Sequence, residues 1–189
     1  MTNKIYIVLT DTSSILSKLI QLYTKEPYNH ASISLDDELN EVYSFGRKQV
    51  GNPFNGGFVK EDMKRGLFTH AKCAIYSLMI TDNQLEKMKR YIHEIEKQQE
   101  EYRYHFLGLF GFLFHRPIYK EKAFFCSQFV ATMLNKCHVI DFDQPLTLVA
   151  PSDLQEIAAL KLEFEGELKA YVQQNNEWCV STYLTPVEI

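Results

Sequence analysis

The sequence predicts an α+β fold in which an antiparallel sheet packs against a helix that carries a cysteine near its start. Three observations predict it. Residues 30–35 alternate, with Ala31, Ile33 and Leu35 on one side and His30, Ser32 and Ser34 on the other, and a second strand over 41–47 follows after a turn, as in a hairpin. Residues 72–80 are nearly all apolar, the pattern of a strand covered on both faces. Phe129, Val130, Met133, Leu134 and Cys137 form the stripe of a helix pressed onto a core. The 189 residues suffice for one domain spanning 1–189, with an extension after about residue 160.

In order, residues 4–10 are rich in β-branched residues and tyrosine, and end at the capping cluster Asp11, Thr12, Ser13 and Ser14. Ile15, Leu16, Leu19, Ile20 and Tyr23 recur at helical spacing, and Pro27 limits that helix. After the hairpin, residues 48–69 mix glycines with aromatics and read as a long ordered loop, a candidate wall of a site. Thr81 and Gln84 have capping-box spacing, and Leu85, Met88, Ile92 and Ile95 mark an amphipathic helix to about Tyr102. An apolar segment, 106–114, ends before Pro117. Pro151, Ser152 and Asp153 open a short helix to about Ala158. Leu160, Leu162 and Phe164 then alternate with charged residues as a half-exposed strand, and a further strand is expected around 178–183.

Composition excludes several classes of function. A net charge of −4, without a stripe of Lys or Arg, argues against a general nucleic-acid binder. No apolar run reaches the length of a transmembrane segment, and the N-terminal run is shorter than a signal-peptide core, so a cytoplasmic protein is expected. Cys73, Cys126, Cys137 and Cys179 are widely spaced, which suggests neither a zinc knuckle nor a dithiol redox site, and no cofactor is expected.

The chemistry concentrates at Cys126, which opens its helix. There, unpaired backbone N–H groups and the helix dipole stabilise a thiolate. Taken alone, a cysteine there is more often a buried small hydrophobe than a nucleophile. Thiol catalysis needs a base within reach and a third group to orient that base. His30 stands on the polar side of a core strand, a rigid place from which to aim an imidazole, although on spacing alone it is equally a satisfied structural histidine. His93 and His105 are expected at the surface, and His70, His115 and His138 in loops or at element ends. A metal site at Cys126 and His30 lacks further ligands at useful spacing.

The order of these motifs resembles the circularly permuted papain-like group of the NlpC/P60 superfamily. Tyr28-Asn29-His30 resembles its histidine motif, Phe125-Cys126-Ser127-Gln128-Phe129-Val130 its cysteine motif, and Pro151-Ser152-Asp153-Leu154 a segment that commonly follows. The resemblance covers residues 4 to about 157. It implies a Cys-His-polar triad in a cleft between the cysteine helix and the sheet, with Cys126 as nucleophile and His30 as base. The third member would lie on the strand after the histidine hairpin, where Ser44 aligns best and Glu41 is the alternative. Alternation sends these two to opposite faces, so at most one meets His30 unless a bulge intervenes. Candidates for an oxyanion hole or pocket are the Cys126 backbone N–H, Gln128, Tyr6 and Tyr28. Ser152 and Asp153 are expected to cap a helix.

Two readings follow. One is a cysteine hydrolase or acyltransferase acting on a small amide, a peptide or a lipid acyl group. The other is a binding module on the same fold with weak or no activity, favoured if a serine is all that orients His30.

Overall fold

The computed structural model describes residues 2–12, 26–47, 56–105 and 116–174. Among these residues there are eight strands: β1 (Thr2–Thr10), β2 (His30–Ser34), β3 (Val42–Arg47), β4 (Gly56–Glu61), β5 (Lys72–Thr81), β6 (Arg103–Tyr104), β7 (Ala123–Phe124) and β8 (Lys161–Glu167). The helices are α1 (Asp82–Lys97), α2 (Cys126–Lys136) and α3 (Pro151–Gln155), and residues 168–174 are also helical. Six strands form one antiparallel sheet in the order β4-β3-β2-β1-β5-β8, while β6 and β7 make a short parallel pair. The α+β class with an antiparallel sheet is therefore as the sequence predicts.

Each strand sorts its residues between two apolar clusters. Ile5, Ile7 and Leu9 of β1, Ala31 and Ile33 of β2, and Tyr43 and Phe45 of β3 face the helices, where Phe129, Val130, Met133 and Leu134 of α2 meet them. Tyr6 and Val8 of β1, Val42 of β3 and Cys73 and Ile75 of β5 face the opposite side, covered by Leu39, Met63, Phe68, Leu168 and Tyr171. Two apolar faces explain why β1 and β5 read as unbroken hydrophobic runs. Phe45, Phe58 and Phe129 pack edge-on or tilted at ring separations of 5.2–5.9 Å, which fixes α2 over β3 and β4.

Local rules set most boundaries. The Thr81 hydroxyl accepts from the Gln84 backbone N–H and the Gln84 side chain accepts from the Thr81 N–H, the reciprocal cap the spacing predicts. Helix α1 stops at Lys97, earlier than Tyr102, because the chain turns at Gln98 and residues 103–104 leave to pair with β7. At α3, the Asp153 carboxylate accepts from the Ala150 N–H at 2.8 Å, a capping role.

One expectation is corrected. Residues 56–61, part of the segment read as a loop, form β4, and Gly66–Phe68 form a 3-10 turn. The glycines disguised the strand, but Gly56 is there for clearance: a Cβ on it would lie 2.7 Å from Tyr104 Cβ. The helix expected over 15–23, the apolar segment 106–114 and the strand at 178–183 lie outside the described residues.

Candidate functional site

His30 is the first residue of β2, opposite Thr10 of β1. Alternation puts it on the face of Ser32 and Ser34, away from Ala31 and Ile33. Cys126 is the first residue of α2 and only 6 % exposed. Its sulfur lies against the start of β2, within hydrogen-bonding reach of the His30 side chain and next to the backbone of Ala31 and Ser127.

The group that holds His30 is Glu61, the last residue of β4. Its Oε1 is 2.8 Å from His30 Nε2, and its Oε2 accepts a hydrogen bond from the Ser32 hydroxyl. With Nε2 committed to Glu61, Nδ1 is the ring nitrogen that remains for the thiol. To reach β2 from β4 the carboxylate must pass over β3, and β3 presents Ser44 and Gly46 on that face. A Cβ on Gly46 would stand 3.6 Å from Glu61 Oε1 and 3.8 Å from His30 Cε1, so this glycine lies directly beneath the pair. Phe68 lies beside the imidazole, the two rings tilted by 41° with centroids 6.1 Å apart.

The electrostatics favour a charged pair. Burial opposes ionisation of both partners. For His30 it is outweighed by the Glu61 charge and by hydrogen bonds to Cys126 and Glu61, so the imidazole holds its proton well above its ordinary range. For Cys126 burial is outweighed by the His30 hydrogen bond and charge, then by the Ala31 and Ser127 amides, and the thiol is lowered from its usual 9.0. The opposite shifts describe a thiolate beside an imidazolium. The other described cysteines behave as core residues: burial pushes Cys73 up to about 12 and also raises Cys137.

The remaining candidates are placed elsewhere. Ser44, expected as the third member, donates its hydroxyl to the Ala31 carbonyl at 2.8 Å and makes no bond to His30. It fastens β3 to the part of β2 beside the cysteine. Glu41 projects from the turn before β3, where Lys60 and the Tyr43 hydroxyl hold its carboxyl below the usual range. Tyr6 packs in the second cluster opposite Ser34, and burial together with Asp37 and other anionic neighbours raises its hydroxyl to about 12, a poor setting for an oxyanion donor. Tyr28 donates to Glu165 of β8 at 2.8 Å. Gln128 lies at the third position of α2 and its Oε1 accepts from the Phe125 N–H at 3.4 Å, which steadies the first turn below Cys126.

Two residues escaped the sequence reading. Glu61 was hidden by the assignment of its strand to a loop. The alternation of Phe58 and Lys60 with Val59 and Glu61 was the available signal, since it sends a lone carboxylate to the face of His30. His105, expected at the surface, is 2 % exposed because its N–H bonds to the Phe124 carbonyl beside β7. Burial and Lys120 lower its basicity, only partly offset by the Gln128 side chain beside it, so it is a neutral imidazole at pH 7. His93 is exposed on α1 as expected.

Among the described residues no group of three or more His, Cys, Asp or Glu side chains is arranged to hold a metal ion, and no helix is long and apolar enough to cross a membrane. Comparison of the chain with protein-family models, with curated proteins and with solved structures returned no match. The chemistry of the site therefore rests on its own geometry.

Proposed function

We propose that the protein is a cysteine hydrolase or acyltransferase in which Cys126 is the nucleophile, His30 the acid and base, and Glu61 the residue that orients His30. The observation that carries this reading is the continuous contact Cys126, His30, Glu61, with the thiol depressed and the imidazole elevated. A cysteine kept only for packing would show the opposite direction, as Cys73 does.

The chemistry follows from that arrangement. The thiolate attacks a carbonyl carbon; the carbon–sulfur bond forms and the π pair moves onto oxygen. Backbone N–H groups in the first turn of α2, that of Cys126 foremost, face the developing negative charge. The His30 imidazolium gives its proton to the departing nitrogen or oxygen, leaving an acyl thioester. A water or another acceptor then loses its proton to His30, attacks the thioester, and releases Cys126. The Glu61 carboxylate keeps the ring in one tautomer and stabilises it whenever it is charged.

We also read the sheet, with its histidine strand ahead of the cysteine helix, as a permuted papain-like fold. The strand order around β2 and the seating of α2 against it support that reading. The weakly active binding module was favoured by a serine as sole orienting group, and the Glu61 carboxylate removes that ground. A small amide, a peptide or a lipid acyl group remain the substrate classes, a thioesterase or lipid acyltransferase being the lipid form.

The test is alkylation by iodoacetamide at pH 7 with the labelled positions mapped by mass spectrometry. Cys126 is expected to react ahead of the other cysteines, and His30→Ala to abolish the preference. Equal, slow labelling of all accessible thiols would refute the proposal.

A further inference from the structure

Three serines of β2 and β3 share the face of His30, and each gives its proton to a different acceptor. Ser34 donates to the Asp36 carbonyl at 2.7 Å, Ser44 to the Ala31 carbonyl, and Ser32 to Glu61 Oε2. Ser32 is fully buried, and Glu61 is its one hydrogen-bond partner among the described residues. A buried hydroxyl without an acceptor is unfavourable, so its single proton is committed to the carboxylate.

That commitment has a direction. With Oε2 accepting from Ser32, Oε1 is the oxygen that faces His30 Nε2, at 2.8 Å. The serine bond thus fixes the rotation of the carboxylate, and with it the direction from which the imidazole is held. The Glu61 side chain is only 7 % exposed, so its partners in the fold and not bulk solvent set that orientation.

We propose that Ser32 is a positioning residue that keeps the Glu61 carboxylate aimed at His30, extending the reactive group to Cys126, His30, Glu61 and Ser32. The inference rests on the reading of Cys126 as a thiolate nucleophile. It assigns to β2 two functional positions, His30 and Ser32, one residue apart on the same face.

The pH dependence of Cys126 alkylation by iodoacetamide tests it on the full chain. Loss of the serine donor frees the Glu61 carboxylate to turn away from His30, which weakens the imidazolium and so the thiolate. Ser32→Ala is expected to move the midpoint of the acid limb upward by about one pH unit. Ser32→Thr, which keeps the hydroxyl, is expected to titrate near the wild type, and Ser32→Val, its isosteric partner without one, to follow Ser32→Ala. Ser34→Ala, on the same face but bonded elsewhere, is the control and should leave the midpoint in place. Superposition of Ser32→Ala and Ser32→Val on the wild type overturns the proposal, as does an equal shift in Ser34→Ala. If Thr folds and neither hydroxyl-free variant does, the hydroxyl serves stability and the proposal is likewise overturned. A wild-type Cys126 that titrates as an ordinary thiol refutes instead the nucleophile reading on which the inference stands.

Discussion

At the scale of single residues, the reactivity of Cys126 is a contest between burial and partners. Burial alone would raise the thiol, and the thiolate exists because His30 and two amides outweigh it. Removing the imidazole leaves the burial in place, so in His30→Ala the thiol is expected to move above 9.0. Alkylation at pH 7 should then fall by at least about 100-fold, measured as a second-order rate. The signs of the two shifts set the pH window. The charged pair forms as pH rises through the depressed value of Cys126 and is lost as pH rises through the elevated value of His30. Its contribution to stability follows the same limits: His30's share disappears on alkalinisation and that of Cys126 on acidification. Glu61→Gln keeps the shape but cannot stabilise an imidazolium. Turnover of a thioester or activated ester such as p-nitrophenyl acetate should drop by about 100-fold or more, with a lowered alkaline limb in the pH profile. A variant with wild-type turnover and profile would remove Glu61 from the mechanism.

At the scale of elements, the site depends on what β3 does not carry. Glu61 crosses β3 to reach His30, and the small side chains at 44 and 46 make the crossing possible. Two glycines of β3 and β4 should respond differently to alanine. At Gly46 the added Cβ meets only ordinary contacts of 3.5–3.8 Å, so stability should change little. At Gly56 it would press on Tyr104 Cβ at 2.7 Å and on the Gly46 carbonyl at 3.1 Å, which should destabilise by about 1–3 kcal/mol and lower the thermal midpoint. Equal midpoints for Gly56→Ala and the wild type would contradict the packing of β4 against β6. The same elements show what could be read from sequence. Regular periodicity revealed β1, the hairpin, β5, α1 and α2, because each buries a face at its own period. Strand β4 was missed because glycine carries no hydrophobic signal, and the reason for Gly56 is a contact with a residue 48 positions later in the chain. With β4 went Glu61, and Ser44 took its place in the reading.

At the scale of the whole molecule, Cys126 and His30 were legible because each stands at the start of a strongly patterned element. Their meeting was an expectation from the resemblance in motif order, since periodicity alone does not dock α2 on β2. What docks it is the aromatic cluster of Phe45, Phe58 and Phe129, joined by Phe124 and Tyr102. His105 shows the same limit from the other side. Its polarity suggested solvent, and only the parallel pairing of β6 with β7 buries it. The order of strands has a further consequence for how the protein fails on heating. Among the described residues β4 is an outer strand, bonded within the sheet to β3 alone, yet it delivers Glu61, while His30 and Cys126 lie on interior elements. Outer strands open at lower free energy than central ones. Warming should therefore release β4 before the central strands and disarm the imidazole while β1, β2 and β5 remain paired. Esterase activity is expected to decline several degrees below the circular-dichroism midpoint and to return on cooling, with amide exchange over 56–61 faster than over 5–9. The working range of this protein is thus set by an outer strand and not by its core.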